Sequence, residues 1–244
     1  MDSKSYVVIQ ARMGSTRRPG KINYLFDDEP MLEYQIKRLK NFGIDNIIVA
    51  TSEEKQDDIT EKIVFDNGIK CFRGSENDVM NRFYECALKY NIDTIIRVGG
   101  DDPLIDPNGI KALYNSYKEN LNSDLIYTSH EDGWIYGTAA ELFTFESLKK
   151  ANSLSVDKVE REHVIPYYKN NNSMSKIKLN APHEIKRKDI YLSVDYQEDL
   201  DLIEQILRYF STKNKRYSFT QQELIELYDS GKLSINNKHL HSGF

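Results

Sequence analysis

The sequence predicts a three-layer α/β sandwich: helices on both faces of a mostly parallel sheet, with an arm inserted late in the chain. Three observations predict it. Short apolar runs of strand length alternate with amphipathic helical stretches through the first half of the chain. The links between them are short, as βαβ crossovers require. One run, Asn46-Ile47-Ile48-Val49-Ala50-Thr51, is apolar on both faces, which suits a strand covered from both sides. At 244 residues the chain can form one large α/β domain carrying such an arm.

Taken in order, Val7, Val8 and Ile9 form the first buried strand. The chain leaves it through Gln10-Ala11-Arg12-Met13-Gly14-Ser15-Thr16-Arg17-Arg18-Pro19-Gly20-Lys21, a loop with four cations, a hydroxyl pair and two glycines. Open α/β sheets bind ligands at this end of their strands. Backbone N–H groups, guanidinium forks and an ammonium in such a loop suit a polyanion, most simply a phosphate chain. A helix follows over 31–42, with Leu32, Ile36, Leu39 and Phe42 on one side and Gly43 closing it. After the strand at 46–51 come a helix over 57–65, closed by Asn67-Gly68, and a short strand at 70–72. A polar loop at 73–78 leads into a helix whose Val79, Phe83, Ala87 and Leu88 share a face.

The strand at 94–98 runs into Gly99-Gly100-Asp101-Asp102-Pro103-Leu104-Ile105-Asp106-Pro107. Pro107 predicts the first turn of a helix over 108–118, with Asp106 as N-cap. A fifth strand spans 124–128, and from there the alternation lapses. A strand over 138–144, a helix over 145–151 and a helix over 159–169 kinked at Pro166 come next. A half-exposed strand at 176–179 and another strand at 191–194 follow. The last helices span 196–210 and 220–229, the latter capped by Thr220. The segment 129–189 is expected to be an arm that shapes an acceptor site and offers a contact to a second copy. The polar tail from Gly231 is expected to be loosely held.

The net charge of −5 argues against a nucleic-acid or membrane-surface binder, so the basic first loop points to a small anion. Cys71 and Cys86 are too few for a disulfide framework and lack zinc spacing; they read as reduced thiols in a cytoplasmic protein. No apolar run approaches a membrane span and no signal-peptide pattern opens the sequence.

Asp101, Asp102 and Asp106 stand after a strand and two glycines, where carboxylates suit a hard divalent cation that bridges to phosphates. Helix capping accounts for Asp106 but not for Asp101. Asp195, ending the LSVD segment, reads equally as a helix N-cap or as a second metal ligand. Together these pieces can bind a nucleoside triphosphate with Mg²⁺ and displace at phosphorus. The first loop lacks Walker A spacing, which disfavours a P-loop ATPase, and there is no Gly-x-Gly-x-x-Gly for a dinucleotide.

At this point Ile9 to Arg17 with Pro19-Gly20-Lys21 resembles the signature of the cytidylyltransferases, the family of CMP-KDO and CMP-sialic acid synthetases. The branch it is most similar to is that of spore coat polysaccharide biosynthesis protein F. The resemblance continues in order. It takes in Phe72-Arg73-Gly74-Ser75-Glu76-Asn77-Asp78-Val79 with Arg82-Phe83, and Arg97 with Gly100-Asp101 and Pro103 to Pro107. Glu160-Arg161-Glu162-His163-Val164 with Pro166-Tyr167, and Leu192-Ser193-Val194-Asp195 with Glu198-Asp199, complete it. It covers roughly residues 6–210 and implies a Rossmann-like fold and transfer of CMP from CTP to an acceptor oxygen, with pyrophosphate leaving.

By that similarity Arg12 and Lys21 hold the triphosphate and, with Asp101, form the catalytic set. Gln10, Ala11, Gly14, Ser15, Arg17, Arg73, Ser75, Asp78 and Arg82 bind the nucleotide. Arg97, Glu141, Arg161 and His163 face the acceptor, Arg161 gripping its carboxylate or phosphate bidentately. Asp101 and Asp195 match the Mg²⁺ positions, which turns Asp195 toward the metal. Three departures stand out. Arg18 replaces a usual leucine and Asp102 a usual cysteine. The 137–141 stretch, with Ala139, lacks a usual aspartate and so a polar handle for the acceptor. Trp134 reads as packing or a partner surface.

The resulting expectation is a Mg²⁺-dependent cytidylyltransferase acting on CTP and an acidic sugar or small phosphorylated acceptor for surface polysaccharide. A homodimer is compatible with it; nucleic acid and membrane insertion are not expected. The alternatives are a sugar-nucleotide-dependent glycosyltransferase, and a silent nucleotide-binding subunit that binds CTP without turnover.

Overall fold

The structure, a computed structural model, describes residues 1–14 and 18–241. Its strands are β1 (Ser5–Gln10), β2 (Leu25–Phe26), β3 (Glu29–Pro30), β4 (Ile47–Ser52), β5 (Lys70–Gly74), β6 (Thr94–Gly99), β7 (Leu125–Tyr127), β8 (Glu141–Thr144) and β9 (Lys176–Lys178). Between and after them run α1 (Met31–Asn41), α2 (Asp58–Asp66), α3 (Val79–Tyr90), α4 (Pro107–Glu119), α5 (Phe145–Leu154), α6 (Lys158–His163), α7 (Ile165–Asn170), α8 (Gln197–Ser211) and α9 (Gln221–Asp229).

Seven strands form one sheet in the order β5-β4-β1-β6-β8-β7-β9. β1 pairs in parallel with β4 and β6, β4 with β5, and β7 with β9. β8 runs antiparallel to both β6 and β7. The period of two along each strand divides the core. Val7, Ile9, Val49, Ile96 and Val98 face α1, α8 and α9, whereas Val8, Ile48, Ala50 and Ile95 face α3, α5 and α7. Helices therefore cover both faces, as the alternation of elements predicts. Asp106 caps α4 by accepting the Asn108 N–H at 3.0 Å, with Pro107 in the first turn, and Thr220 caps α9.

The second half of the chain differs from expectation in four places. The 129–189 segment is not an appendage: β8 pairs on both sides in the middle of the sheet, and β9 is its edge. Residues 191–194 form no ladder strand. They make one bridge, Tyr136 to Tyr191, because the facing loop turns away at Gly137. Gly137 has φ +88°, and a Cβ there would lie 2.3 Å from the Ser193 nitrogen, so only glycine allows the approach. The helix expected over 159–169 is two helices, and the break is at Val164 rather than Pro166. Val164 has φ 64° and ψ −58°, a backbone state that a β-branched residue rarely adopts, and Pro166 sits in the first turn of α7. The tail is not loose either: Asn237 and His241 are fully buried.

Candidate active site

The parallel strands β1 and β6 end side by side. There the Gly100 N–H donates to the Gln10 carbonyl at 2.8 Å, and a Cβ on Gly100 would lie 2.8 Å from that of Ala11. Glycine at 100 thus lets the chain after β6 run directly against the chain after β1. From α1, the buried Gln35 donates to the Gly99 and Asp102 carbonyls, at 2.8 and 2.9 Å, and so holds the turn that presents Asp101. The Val194 N–H donates to the Asp101 carbonyl at 2.8 Å. That bond ties the two acid-bearing segments together, so Asp101 and Asp195 face each other from opposite sides.

Between them sits the Lys21 ammonium. It donates to Asp101 Oδ2 at 2.8 Å, Asp195 Oδ1 at 3.0 Å and the Val194 carbonyl at 2.7 Å, which uses all three of its protons. Burial works against the charge of Lys21, but the two carboxylates outweigh it and hold its pKa above the ordinary value. Asp102 is pushed the other way from an ordinary carboxylate. Burial, then the neighbouring Asp101 charge, raises its pKa well above the usual range.

The basic loop is anchored from below. Asp57, fully buried, accepts the Met13 N–H at 2.8 Å and the Thr60 hydroxyl at 3.0 Å, and its other oxygen accepts the Ser52 hydroxyl. Arg12 reaches across to the Glu76 carbonyl at 3.1 Å and lies 3.7 Å from Glu162.

These groups border a cavity of about 560 Å³. Arg12, Lys21, Asp101, Asp102 and Asp195 line it. Arg97, Glu141 and Gln10 form one side; Arg97 donates to Glu141 and to Gln10, both at 3.1 Å. The second half of the chain adds Tyr127, His130, Tyr136, Glu162, His163, Lys169 and Ser193, with the Lys169 ammonium 4.8 Å from the centre of the Tyr127 ring. The break at Val164 lets α6 deliver Glu162 and His163 while α7 delivers Ile165 and Lys169.

Of the predicted site residues, Gln10, Arg12, Lys21, Arg97, Asp101, Glu141, His163 and Asp195 line this cavity. Ala11 and Gly14 lie in the loop beside it, and Ser15 and Arg17 fall outside the described residues. The predicted cations of the other segments are turned elsewhere. Arg73 is engaged by Asp58 at 2.7 Å, Glu61 at 3.0 Å and the Ser52 and Glu54 carbonyls. Ser75 and Asp78 brace the start of α3: the Ser75 hydroxyl accepts the Asp78 N–H, and Asp78 caps the helix. Arg82 is fully buried, donates to the Ser75 carbonyl at 2.7 Å, and is lowered to a pKa of about 10 by burial and by Arg12. Arg161 does not line this cavity. Two of its nitrogens donate to Asp78 Oδ2 at 2.9 and 2.7 Å and the rest of the fork to Asn152 and Ser155, which pins α6 to α3. Arg18 donates to Gln197 and does not border the cavity, so the extra cation is not added to its lining. Trp134 is packing: it is buried and donates to the Leu179 carbonyl. The sequence reading missed Glu162, Lys169, Tyr127, Tyr136 and the anchors Gln35 and Asp57. A glutamine on the apolar face of α1, beside Leu32 and Ile36, was the available signal for Gln35.

The set of donors fits a hard divalent cation. The ammonium of Lys21 already rests in a cradle of three oxygens, two of them carboxylate. Among the described residues no group of three or more acidic, histidine or cysteine side chains gathers as a metal cage. Two carboxylates alone suit Mg²⁺, which completes its shell with substrate phosphates and water.

The sequence profile of a family described as cytidylyltransferase matches residues 6–227. An uncharacterized protein of Methanocaldococcus jannaschii is 36% identical over 209 residues, 85% of this chain and 84% of that one. The spore coat polysaccharide biosynthesis protein SpsF of Bacillus subtilis is 28% identical over 226 residues, 90% of this chain and 92% of its own. The structure of a cytidylyltransferase from Leptospira borgpetersenii superposes with a TM-score of 0.85 at 34% identity, covering 93% of this chain and 94% of that chain.

Proposed function

The chain belongs to the cytidylyltransferase family and is a nucleotidyltransferase, and from that premise we propose that it transfers CMP from CTP to an acidic sugar or small phosphorylated acceptor, with Mg²⁺, for surface polysaccharide. The observation that carries this reading is the facing Asp101–Asp195 pair, bridged by Lys21, in the lining of a cavity that Arg12 also borders.

In the proposed reaction an acceptor oxygen attacks the α-phosphorus, and the bond from that phosphorus to the bridging oxygen of pyrophosphate breaks. Arg12, with backbone N–H groups of the first loop, holds the triphosphate and offsets charge on the leaving pyrophosphate. Asp101 and Asp195 would hold Mg²⁺, which supplies positive charge to the triphosphate oxygens. With such a cation held there, Lys21 would turn its ammonium from the carboxylates to the same phosphates. His163, with Lys169, faces an anionic group of the acceptor. Arg97 is already neutralised by Glu141, and the pair offers its remaining donor and acceptor atoms to sugar hydroxyls. The role in surface polysaccharide rests on likeness to the Bacillus protein. A cytoplasmic location accords with the substrates; among the described residues no helix is long and apolar enough to cross a membrane. A homodimer using the 129–189 segment belongs to the same proposal.

The test is pyrophosphate release with Mg²⁺, trying CTP, UTP, ATP and GTP against sugar acids and phosphorylated small acceptors. Release with CTP and one acceptor class, abolished in Asp101→Asn, is the expected result. Failure of every triphosphate to bind overturns the proposal.

A further inference from the structure

The family match ends at residue 227, so the tail that carries the buried Asn237 and His241 lies beyond it. Its two fully buried polar residues converge on one carboxylate, Asp199, in the first turn of α8. Asp199 works in two directions. Its Oδ2 accepts the Asp195 N–H at 2.9 Å and the Tyr196 N–H at 2.8 Å. Its Oδ1 accepts the Asn237 side-chain N–H and meets His241 Nε2, both at 2.8 Å. Because the Asp199 oxygen accepts there, Nε2 is the donor of this bond. Asn237 also donates to the Tyr191 carbonyl at 3.0 Å. The His241 ring lies flat on Tyr191, with centroids 5.1 Å apart and planes 8° apart, and lies 5.8 Å from Tyr136. Asp195 and Tyr136 both line the cavity.

We propose that Asn237 and His241 are positioning residues for the active site, acting through Asp199 on the backbone at Asp195 and through Tyr191 on Tyr136. The tail closes the back of the wall from which Asp195 points at Asp101. Without it, Oδ1 of a buried carboxylate loses two donors, and the start of α8 must shift to find others. Any such shift is passed to Asp195, whose N–H hangs on the same carboxylate. The inference rests on the reading of Asp195 as a cation ligand.

The experiment measures Mn²⁺ affinity by the electron paramagnetic resonance of the free ion, with and without CTP, beside kcat and KM for CTP. The variants are His241→Ala, Asn237→Ala, His241→Gln, a chain ending at Ile235, and Lys238→Ala as an exposed control in the same tail. Because the shortened chain also loses packing, the single substitutions decide. Outer-shell partners of this kind are worth about 10–100-fold in metal affinity or activity. His241→Ala and Asn237→Ala are therefore expected to weaken Mn²⁺ binding at least about tenfold and to lower kcat more than they raise KM for CTP. The amide N–H of His241→Gln restores the bond to Asp199 and most of the affinity, and Lys238→Ala behaves as the wild type. Folded alanine variants with wild-type Mn²⁺ affinity and kcat overturn the inference alone, as does a loss of thermal stability with no change in either. A wild type whose Mn²⁺ binding survives Asp195→Asn overturns the cation reading of Asp195, and the inference with it.

Discussion

Lys21→Met removes one charge from the centre of the site and keeps most of the side-chain volume. In the wild type the ammonium is spent on Asp101, Asp195 and the Val194 carbonyl, and its side chain is only 7% exposed. Breaking a buried pair by removing one partner costs about 3–5 kcal/mol, because the other charge is left without compensation. Here the two carboxylates differ. Asp195 is 2% exposed, whereas Asp101 is 35% exposed and relaxes into water more readily. Asp195 bears the larger share of the loss and Asp101 little of it, so the low end, about 3 kcal/mol, applies. For a chain of this size that is a fall in melting temperature of about 6–12 °C, read by thermal melting in a chelating buffer. The carboxylates, freed of the ammonium, then bind a divalent cation without having to displace it. Mn²⁺ at about 100 times its Kd returns about 2.7 kcal/mol to the variant, most of what was lost, and less to the wild type, whose ammonium must first be displaced. The pH dependence follows from the raised pKa of Lys21. A raised folded value stabilises fully below the ordinary lysine pKa, about 10.4, and that stabilisation is lost as pH rises through the folded value. The wild type should therefore lose its advantage over Lys21→Met at alkaline pH. A variant that melts within a degree of the wild type, or that gains no more from Mn²⁺ than the wild type does, refutes the bridge.

Three further outcomes are expected. Asp57→Ala deprives the Met13 N–H, Thr60 and Ser52 of their acceptor, so it should raise KM for CTP with little change in kcat, while Asp57→Asn, which keeps a carbonyl oxygen, recovers much of the loss in steady-state kinetics. Arg161→Ala and Asp78→Ala should couple by about 0.5–3 kcal/mol in a double-mutant cycle and should raise KM for the acceptor together, since both release α6 with Glu162 and His163; additive effects would show that the pair does not hold that helix. Asp102→Asn should raise the melting temperature of the metal-free protein at neutral pH. The raised folded pKa of Asp102 means that the folded state holds its proton more tightly, so wild-type stability falls as pH climbs from about 3.9 through the folded value, and the variant should lack that fall.

The gathering of Arg12, Lys21 and Asp101 after β1 and β6 was legible because each strand hands the chain that follows it directly to one sheet edge. Runs such as Val7-Val8-Ile9 and 94–98, followed by a basic loop and by Gly99-Gly100-Asp101, place those residues before any tertiary contact is known. Asp195 was legible in part: its residues left N-cap and metal ligand equal and the family pattern turned it toward the metal, while its LSVD segment does not form the expected strand. What could not be read was the pairing of cations. Arg12 and Arg161 are alike as residue types, yet one overlooks the cavity and the other is consumed by Asp78 and Asn152. Contacts across 83 positions of sequence leave no local periodicity to detect. The same is true of the tail. Its composition is that of a solvated end, and only the buried carboxylate of Asp199, some forty positions earlier, explains why Asn237 and His241 fold inward.

The most direct test of CMP transfer at this cavity follows radiolabel from CTP with the cognate acceptor and Mg²⁺. Label at the α-phosphorus should appear in the acceptor product, and label at the γ-phosphorus should leave as pyrophosphate. Both should vanish in Asp101→Asn and in Asp195→Asn. Release of γ-label as inorganic phosphate, or α-label that never joins the acceptor while CTP is consumed, would contradict it.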